Sequence, residues 1–408
     1  MKLAQLVTVA VFVPALMLMG CSKAPTPVGI NLFPNNEKFA AHDTTLGAIG
    51  DTTIHVSSVN GGGGSVLVGN QSSVDCKGLL RFYVTIPESL TSVQIDSAEL
   101  SLTVSYSWDA SVPATPSAFD VKEVTTPWSA VSVTVDSLNG LGLVQTNSSP
   151  FVLTSQDTLV PGKILTAQID TSLIRRWITI SADTADTLTP RFFSLAIVTD
   201  PAYSNVGVWG FSEFGSSTPP NLVIIYEKDG IKDSVYINVG ESTFLATGPS
   251  LSSSSDLQVQ GGISVRSKVF FDKSALMKAI SDSIVSTKAI INNATMMLTL
   301  DPASSLLGAG SEDSLVAYLA GSPVSPEYPD SIQAGDFAYG YRQDTSQTNN
   351  VYVFNVTTMA QQWINSPSNN FGVSLRALND NGSVDKLSFF SVKDSTKAPK
   401  ISITFTKR

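Results

Sequence analysis

The sequence predicts an all-β protein made of two tandem β-sandwich (jelly-roll) domains. Charged residues make up 14% of the 408-residue chain, well below the share of about 25% in typical soluble domains. Apolar and polar residues alternate along most of the chain, as expected for strands with one buried face. The same series of segments recurs in order in the second half. A fixed order of recurring segments indicates a tandem duplication.

The first twenty residues have the layout of a secretory signal peptide. Met1 and Lys2 give a positive start, and an apolar stretch runs over 3–19. Its end, Leu-Met-Gly before Cys21, resembles the bacterial lipobox, which implies cleavage before Cys21 and lipid attachment to its thiol. The stretch is short for a membrane-spanning helix, which needs about 20 residues. We therefore expect a signal peptide over 1–20 and a lipidated tether over 21–44.

This reading predicts a lipid-anchored protein of the cell envelope. No Asp follows Cys21 and no acidic run follows it, which favours the outer membrane and leaves the leaflet open. The second cysteine, Cys76, then has no disulfide partner and is expected to be buried and inert. The formal charge of -9 would repel phosphate backbones. Nucleic acid is therefore excluded as a partner.

The body of the chain begins with strands that return later. Alternating apolar residues over 80–86 and 98–104 match 268–271 and 294–300, which pairs Arg81 with Lys268. The extra residues of the second half lie over 274–284, where helical spacing of apolar residues predicts a short surface helix.

A helical segment follows in each half, at 169–178 and 355–364. Each begins with a Ser or Thr N-cap and has apolar residues at i, i+1, i+4 and i+5. Trp177 and Trp363 are predicted to occupy equivalent buried positions. Further strands and a terminal strand complete each half, and the charged segment 227–233 separates them. The predicted copies are 45–230 and 231–408.

These motifs resemble the DNRLRE-type domain. The matching features are Leu-Arg-Phe, Ile-x-x-Ala-x-Leu-x-Leu, x-Val-Thr-x-x-x-Gln-x-Trp-Ile, Asn-Phe-Gly, and Phe-Ser with Pro before a last strand. The resemblance implies a jelly-roll module grouped with carbohydrate-binding modules. Copy 1 also has Trp128, similar to a Trp that the family often carries. Copy 2 lacks its counterpart, and Val392 stands where copy 1 and the family have an acid, Glu213.

Motifs for catalysis, phosphate binding and metal binding are absent from the sequence. We therefore expect no enzyme activity, cofactor or metal. Gly61 to Gly64 lack the Lys-Ser or Lys-Thr of a phosphate loop and are expected to form a hairpin loop. Asp380-Asn381-Gly382 lacks the remaining acids of a calcium loop and is expected to form a turn. His42 and His55 lie in polar surroundings and are expected to be solvated.

Sugar binding needs exposed aromatic rings, which stack on pyranose faces, beside polar groups that hold hydroxyls. Alternation places Phe337, Tyr339 and Tyr341 on one face, with Arg342 at the end of the run. Packing of these rings in the core or at its rim is favoured, and a partly exposed binding platform is the alternative. Tyr106 and Trp108 continue an inward face and are expected in the core. Three further candidates are Trp209, replaced by Ser388 in copy 2, and the basic pair Arg81 and Lys268.

Two main hypotheses for function follow. The first is a non-catalytic envelope lipoprotein whose modules bind a polysaccharide. The alternative is a structural or adhesive envelope protein that contacts another protein. A polysaccharide-active enzyme is the third, and the missing motifs disfavour it.

Overall fold

A computed structural model describes residues 41–55, 65–83, 92–108, 117–153, 162–183, 191–202, 207–248, 257–281, 289–309, 314–320, 337–343, 350–365 and 372–407. The fold is all-β, as predicted, and consists of two large antiparallel sheet systems. The strands are β1 (Ala41–His55), β2 (Val66–Gln71), β3 (Val74–Phe82), β4 (Gln94–Trp108), β5 (Ser117–Val124), β6 (Leu143–Gln145), β7 (Phe151–Leu153), β8 (Ile164–Gln168), β9 (Phe193–Thr199), β10 (Gly207–Phe211), β11 (Asn221–Lys228), β12 (Ile231–Thr247), β13 (Leu257–Gln260), β14 (Val265–Phe271), β15 (Ala289–Thr299), β16 (Leu315–Leu319), β17 (Phe337–Arg342), β18 (Val351–Asn355), β19 (Val373–Ala377), β20 (Lys386–Phe389) and β21 (Lys400–Lys407). The α-helices within the described residues are α1 (Thr171–Ala182), α2 (Lys273–Ser281) and α3 (Thr357–Asn365), and a 3₁₀ helix covers Val135–Gly140.

One sheet system has the order β12-β11-β4-β10-β2-β3-β9-β5-β6, with β7 beside β5, β8 beside β4 and an additional β12–β3 pairing. We call it sandwich 1. The other, sandwich 2, has the order β1-β21-β15-β18-β17-β16-β19-β14-β13-β20, and β1 also pairs with β14. The second pairing of β1 closes the strands from β1 to β14 into a ring. Closure removes the free sheet edges on which unwanted pairing occurs.

Strand pairing divides the chain differently from the predicted boundary at residue 230. The N-terminal strand β1 pairs with β21 and β14, both in the C-terminal half. Its repeat counterpart β12 pairs with β11 and β3, in the N-terminal half. The two sandwiches have therefore exchanged their long closing strands. Sandwich 1 comprises β2 to β12, and sandwich 2 comprises β1 together with β13 to β21.

The segment 227–233, predicted as the link between copies, is a tight hairpin inside sandwich 1. Lys228 pairs directly with Ile231, so only Asp229 and Gly230 form the turn. Both have positive φ, 54° and 79°. Two successive residues with positive φ are characteristic of type I′ hairpin turns, which match the twist of the flanking strands.

Matching β-bulges support the duplication. Asp96 is the extra residue of β4 opposite β11, and Asn292 is the extra residue of β15 opposite β21. Each long closing strand also has an extra residue, Ile49 in β1 and Gly240 in β12, where its pairing passes from one partner strand to the other. A bulge increases local twist and bends the strand. It lets the closing strand pass from one sheet of the sandwich to the next.

The helices cover equivalent ends of the two cores. In α1 the buried side chains include Trp177, and in α3 they include Trp363, at the predicted i, i+1, i+4 and i+5 positions. Trp177 lies 6.3 Å from Phe82 at 40°, and Trp363 lies 6.3 Å from Phe271 at 38°. The predicted equivalence of the tryptophans is confirmed. The helix predicted over 274–284 is present as α2 over Lys273–Ser281, and 282–284 lie outside the described residues.

A further bulge changes the environment of two aromatic residues. Gly210 pairs with Tyr106 and Phe211 with Val104, so Ser105 is extra and the alternation is reversed beyond it. Tyr106 and Trp108 are buried, as predicted, but in a separate apolar cluster that joins the two sandwiches. The Tyr106 hydroxyl donates to Oδ1 of Asp385 at 3.0 Å. The Trp108 indole N–H donates to the carbonyl of Leu306 at 3.1 Å.

The remaining expectations concern Cys76, the two histidines and the turn at Asp380. Cys76 is fully buried, and burial raises the pKa of its thiol above the usual range, with Asp75 adding to the effect. His42 and His55 are exposed, and Asp380 to Gly382 lie in the turn between β19 and β20. Gly61 to Gly64 lie outside the described residues. No helix within the described parts is long and apolar enough to cross a membrane.

Candidate functional site

The predicted aromatic row is present on β17. Ala338 and Gly340 face the core, where a Cβ on Gly340 would lie 2.2 Å from the Phe354 ring. The intervening rings therefore face outward. Tyr339 is 44% exposed and Tyr341 is 64% exposed. These two rings have the exposure that stacking on a ligand requires.

The row extends sideways across two neighbouring strands. Phe337 packs edge-on against Tyr339 at 5.5 Å and lies 6.4 Å from Tyr318 of β16. The Arg376 guanidinium of β19 lies 5.0 Å from the Tyr318 ring centre, a cation–π distance. We call Phe337, Tyr339, Tyr341, Tyr318 and Arg376 the aromatic strip. It contains both surfaces for stacking and a fixed positive charge.

Tyr318 and Arg376 were not identified from the sequence. Strand register brings them together, because Val316 of β16 lies opposite Tyr339 on one side and Arg376 on the other. Tyr318 is opposite Phe337 in the same register. Burial raises the pKa of Tyr318 above its ordinary value, against the opposing effect of Arg376. The alternation of Tyr318 with Ala317 was the only local signal, and it does not reveal the neighbouring strands.

Arg342 is less available to a ligand on the aromatic rings than predicted. It follows the alternation of Ala338 and Gly340 and not that of the rings. Its guanidinium donates to Oδ1 of Asn350, through Nε at 3.2 Å and also through Nη2. Asn350 is buried. Arg342 therefore fixes the end of β17, and Arg376 is the cation that lies among the rings.

A buried ion pair lies beside the strip. Arg266 of β14 and Asp380 are 3.2 Å apart, and both side chains are nearly inaccessible. Burial raises the pKa of the Asp380 carboxyl, although Arg266 and Arg376 both act to lower it. The pair holds the turn after β19 against the sheet. It also places negative charge close to Arg376, which limits how strongly that arginine can attract an anion.

Lys268 is buried, at 3% exposure. Its ammonium lies 5.6 Å from the Phe270 ring centre, and burial lowers its pKa. The predicted pairing of Lys268 with Arg81 is also wrong by two residues. Arg81 lies opposite Glu241 just after the bulge of β12, and Phe270 lies opposite Gly50 just after the bulge of β1. Phe270 is therefore the structural counterpart of Arg81.

Arg81 has a structural role in sandwich 1. It donates to Oε2 of Glu241 at 3.0 Å and to the carbonyl of Trp128 at 3.3 Å. Its guanidinium lies 4.9 Å from the Tyr83 ring centre and 5.1 Å from that of Phe192. These contacts fasten the loop that carries Trp128 to the sheet. Arg81 is thus committed to internal contacts.

Trp209 is not placed to bind a ligand. It is 1% exposed and packs in the main core of sandwich 1. Cys21 lies outside the described residues, so lipidation stays a prediction. Among the residues that the structure describes, no group of three or more His, Cys, Asp or Glu is arranged to hold a metal ion.

Comparison with known protein families finds no match, and no curated protein sequence matches the chain. The resemblance to the DNRLRE-type domain therefore remains a prediction carried by the sequence motifs.

Proposed function

We propose that the aromatic strip of sandwich 2 binds a polysaccharide and that the protein is a non-catalytic envelope lipoprotein. The observation that supports this proposal is the pair of exposed rings, Tyr339 and Tyr341, two residues apart on one strand. A rigid strand holds the rings, so little side-chain freedom is lost when a ligand binds.

The chemistry of the strip suits a sugar chain. Flat aromatic faces bury the apolar face of a pyranose ring, and the tyrosine hydroxyls offer hydrogen bonds at the edge. Arg376 can donate to hydroxyl or carboxyl oxygens of the ligand. Stacking contributes more than one hydroxyl contact, because a hydroxyl contact only replaces a hydrogen bond made to water.

The direct test measures retention of the purified protein on immobilised neutral and acidic polysaccharides. Tyr341→Ala and Tyr339→Ala should each weaken binding by about 1 kcal/mol, roughly fivefold in Kd. The matched controls are Tyr236→Ala, a 69% exposed tyrosine on β12, and Val152→Ala, a half-exposed residue of sandwich 1. Neither control should change retention. No retention of the unmodified protein on any polysaccharide would refute glycan binding.

Salt separates stacking from charge attraction. Binding carried by the rings should persist as salt is raised, whereas a contribution from Arg376 to an acidic glycan should fade. Arg376→Gln should therefore reduce retention on acidic glycans at low salt more than at high salt. Equal loss on neutral glycans would show that Arg376 acts by supporting Tyr318 and not by its charge.

The envelope location rests on the lipobox-like residues before Cys21, with the outer membrane favoured. Lipid chains anchor stably when two or more are attached. Cys21→Ser should therefore release the protein from membranes. Full membrane retention of that variant would contradict the lipoprotein proposal.

The alternative is a structural or adhesive protein that contacts another protein. It is supported by the strand exchange and by the shared apolar cluster around Trp108, which fasten the two sandwiches together. A rigid double module suits a spacer. Absence of glycan retention together with specific capture of one envelope protein would favour this alternative.

A further inference from the structure

Sandwich 2 is closed by a strand with a small side-chain contribution. β1 pairs with β21 over Ala41–Gly47 and with β14 over 48–55. Leu46 is its one buried residue. β1 is therefore held mainly by backbone hydrogen bonds, to β21 along its first half and to β14 along its second half. We call the space that it fills, between β14 and β21, the acceptor groove.

The equivalent strand of sandwich 1 is anchored much more deeply. β12 buries a row of apolar side chains, comprising Ile237, Val239, Phe244, Leu245 and Ala246. Burial of apolar surface stabilises a strand roughly in proportion to the area removed from water, so this row holds β12 more firmly than Leu46 alone holds β1. Of the two closing strands, β1 is therefore the one that can leave at lower cost.

The residues that face β12 in sandwich 1 differ from those that face β1 in sandwich 2, and each set suits the strand that it pairs with. Glu241 of β12 faces Arg81 and binds it. At the same position of sandwich 2, Gly50 of β1 faces Phe270. With β12 in the acceptor groove, the Glu241 carboxylate would face the Phe270 ring and lose its ion pair.

A second pair of positions gives the same result. Phe244 of β12 is buried and lies opposite Gly78, where a Cβ would come within 2.6 Å of the Val66 side chain. Thr53 of β1 lies opposite Ser267, and their hydroxyl oxygens are 3.1 Å apart. Exchange of the strands would place Phe244 against the Ser267 hydroxyl and leave Thr53 beside Gly78. The acceptor groove therefore selects the β1 sequence.

We propose that the acceptor groove is also an interaction site for a second copy of this chain, which inserts its own β1. Every contact of the exchanged strand is the same whether β1 comes from the same chain or another. The free energies of β1 insertion within one chain and between two chains therefore differ in entropy, and the balance between them depends on protein concentration. Ten residues, 56–65, join β1 to β2, four of them Gly61 to Gly64.

Because the donor strand and the acceptor groove are on the same chain, exchange joins copies head to tail. Such a contact is heterologous, and it gives rings or open filaments according to geometry. For a protein concentrated in two dimensions on a membrane, chain-to-chain exchange is favoured over a dilute solution. The inference does not depend on glycan binding.

The test uses disulfides between opposed positions in a full chain carrying Cys21→Ser. Thr45 of β1 lies directly opposite Ser402 of β21, within the Cα separation that a disulfide spans. The double variant Thr45→Cys/Ser402→Cys should form the disulfide within one chain, which also reports correct folding. The two single variants, mixed at high concentration in mild urea that is then removed, should form a disulfide-linked heterodimer.

A matched control uses the groove of sandwich 1. Val223 of β11 lies opposite Tyr236, the β12 counterpart of Thr45. Thr45→Cys mixed with Val223→Cys should give at least tenfold less heterodimer. A synthetic peptide of residues 41–55 should compete with the first reaction, and the same peptide with Leu46→Asp should not. Formation of the intrachain disulfide without any heterodimer would overturn the proposal, as would equal reaction with both partners.

Discussion

The same outer sheet face differs between the two sandwiches. In sandwich 1 it carries Leu79, Ala196 and Val198, and the loop with Trp128 packs over them in a separate apolar cluster. The register of β3 with β9 and of β14 with β19 places Lys268, Ser374 and Arg376 at the corresponding positions of sandwich 2. One fold thus carries a stabilising apolar face in one copy and a charged, aromatic face in the other.

The loop over sandwich 1 is held by a chain of hydrogen bonds. The Trp128 indole N–H donates to the Ser194 hydroxyl at 2.8 Å, which donates to the carbonyl of Leu80 at 2.8 Å. Glu241 accepts the Ser129 hydroxyl at 2.8 Å and the backbone N–H of Ala130. The sequence of copy 2 has no Trp128 counterpart. A duplicated module can therefore keep its core while one face changes from packing to interaction.

The largest effects are expected where the copies are alike. Trp177→Ala and Trp363→Ala should each destabilise their sandwich by about 3 to 5 kcal/mol, because both rings are buried in equivalent cores. Urea unfolding of each variant checks this. An unchanged unfolding midpoint for either variant would contradict the core equivalence.

Replacement by phenylalanine should have different effects on stability at Trp177 and at Trp363. The Trp177 indole N–H donates to Oε1 of Glu123 at 3.2 Å, whereas Nε1 of Trp363 has no hydrogen-bond partner among the described residues. Trp177→Phe should therefore cost about 1 kcal/mol more than Trp363→Phe. Equal costs would show that the hydrogen bond to Glu123 adds no net stability.

A smaller effect, confined to sandwich 1, is expected from Trp128→Ala. Loss of a nearly buried ring and of its bond to Ser194 should cost about 3 kcal/mol. Glycan retention by sandwich 2 should not change, and this is the internal control. A parallel loss of retention would indicate that the two outer faces are coupled.

Acid should weaken the attachment of the Trp128 loop. Burial alone would raise the pKa of Glu241, but hydrogen bonds from Ala130 and Ser129 and the charge of Arg81 hold it below its ordinary value. The stabilisation is therefore present above the unfolded pKa of about 4.3 and is lost as the pH falls through the lower folded value. Thermal melts of Glu241→Gln and the parent protein should differ at neutral pH and converge in acid. A constant difference would contradict this assignment.

The smallest effect on stability is expected in the aromatic strip. Tyr341→Val should change stability by no more than about 0.5 kcal/mol, because the ring is 64% exposed. The same variant should weaken glycan binding about as much as Tyr341→Ala, roughly fivefold in Kd. Marked destabilisation would assign Tyr341 to packing and remove it from the proposed site.

Local features were predictable from the sequence. The alternation along 337–342 correctly placed Tyr339 and Tyr341 on one face, although it did not show that this face is exposed. The apolar spacing correctly placed Trp177 and Trp363 inside. Both depend only on neighbours within a few residues. Periodicity predicts these positions because side-chain direction repeats regularly along a strand or a helix.

Long-range features were not predictable. Periodicity cannot decide which sandwich β1 or β12 closes, because that choice depends on the residues that face each strand across the pairing. A single-residue bulge reverses which face of the sheet the following side chains occupy. The extra residue Ser105 does this for Tyr106 and Trp108. Arg376 reaches the aromatic strip through register across three strands. These choices depend on tertiary packing, which a single strand's sequence does not contain.

The exchanged strand also sets how the molecule responds to mechanical force. Ala41 lies opposite Thr406, so the first and last strands of the fold run side by side in opposite directions. Tension applied between residues 41 and 407 would load the β1–β21 hydrogen bonds one after another, as in unzipping. Sandwich 1 would stay outside the line of force until β1 had peeled away. The acceptor groove would then open under load while the apolar core around Trp177 remained folded.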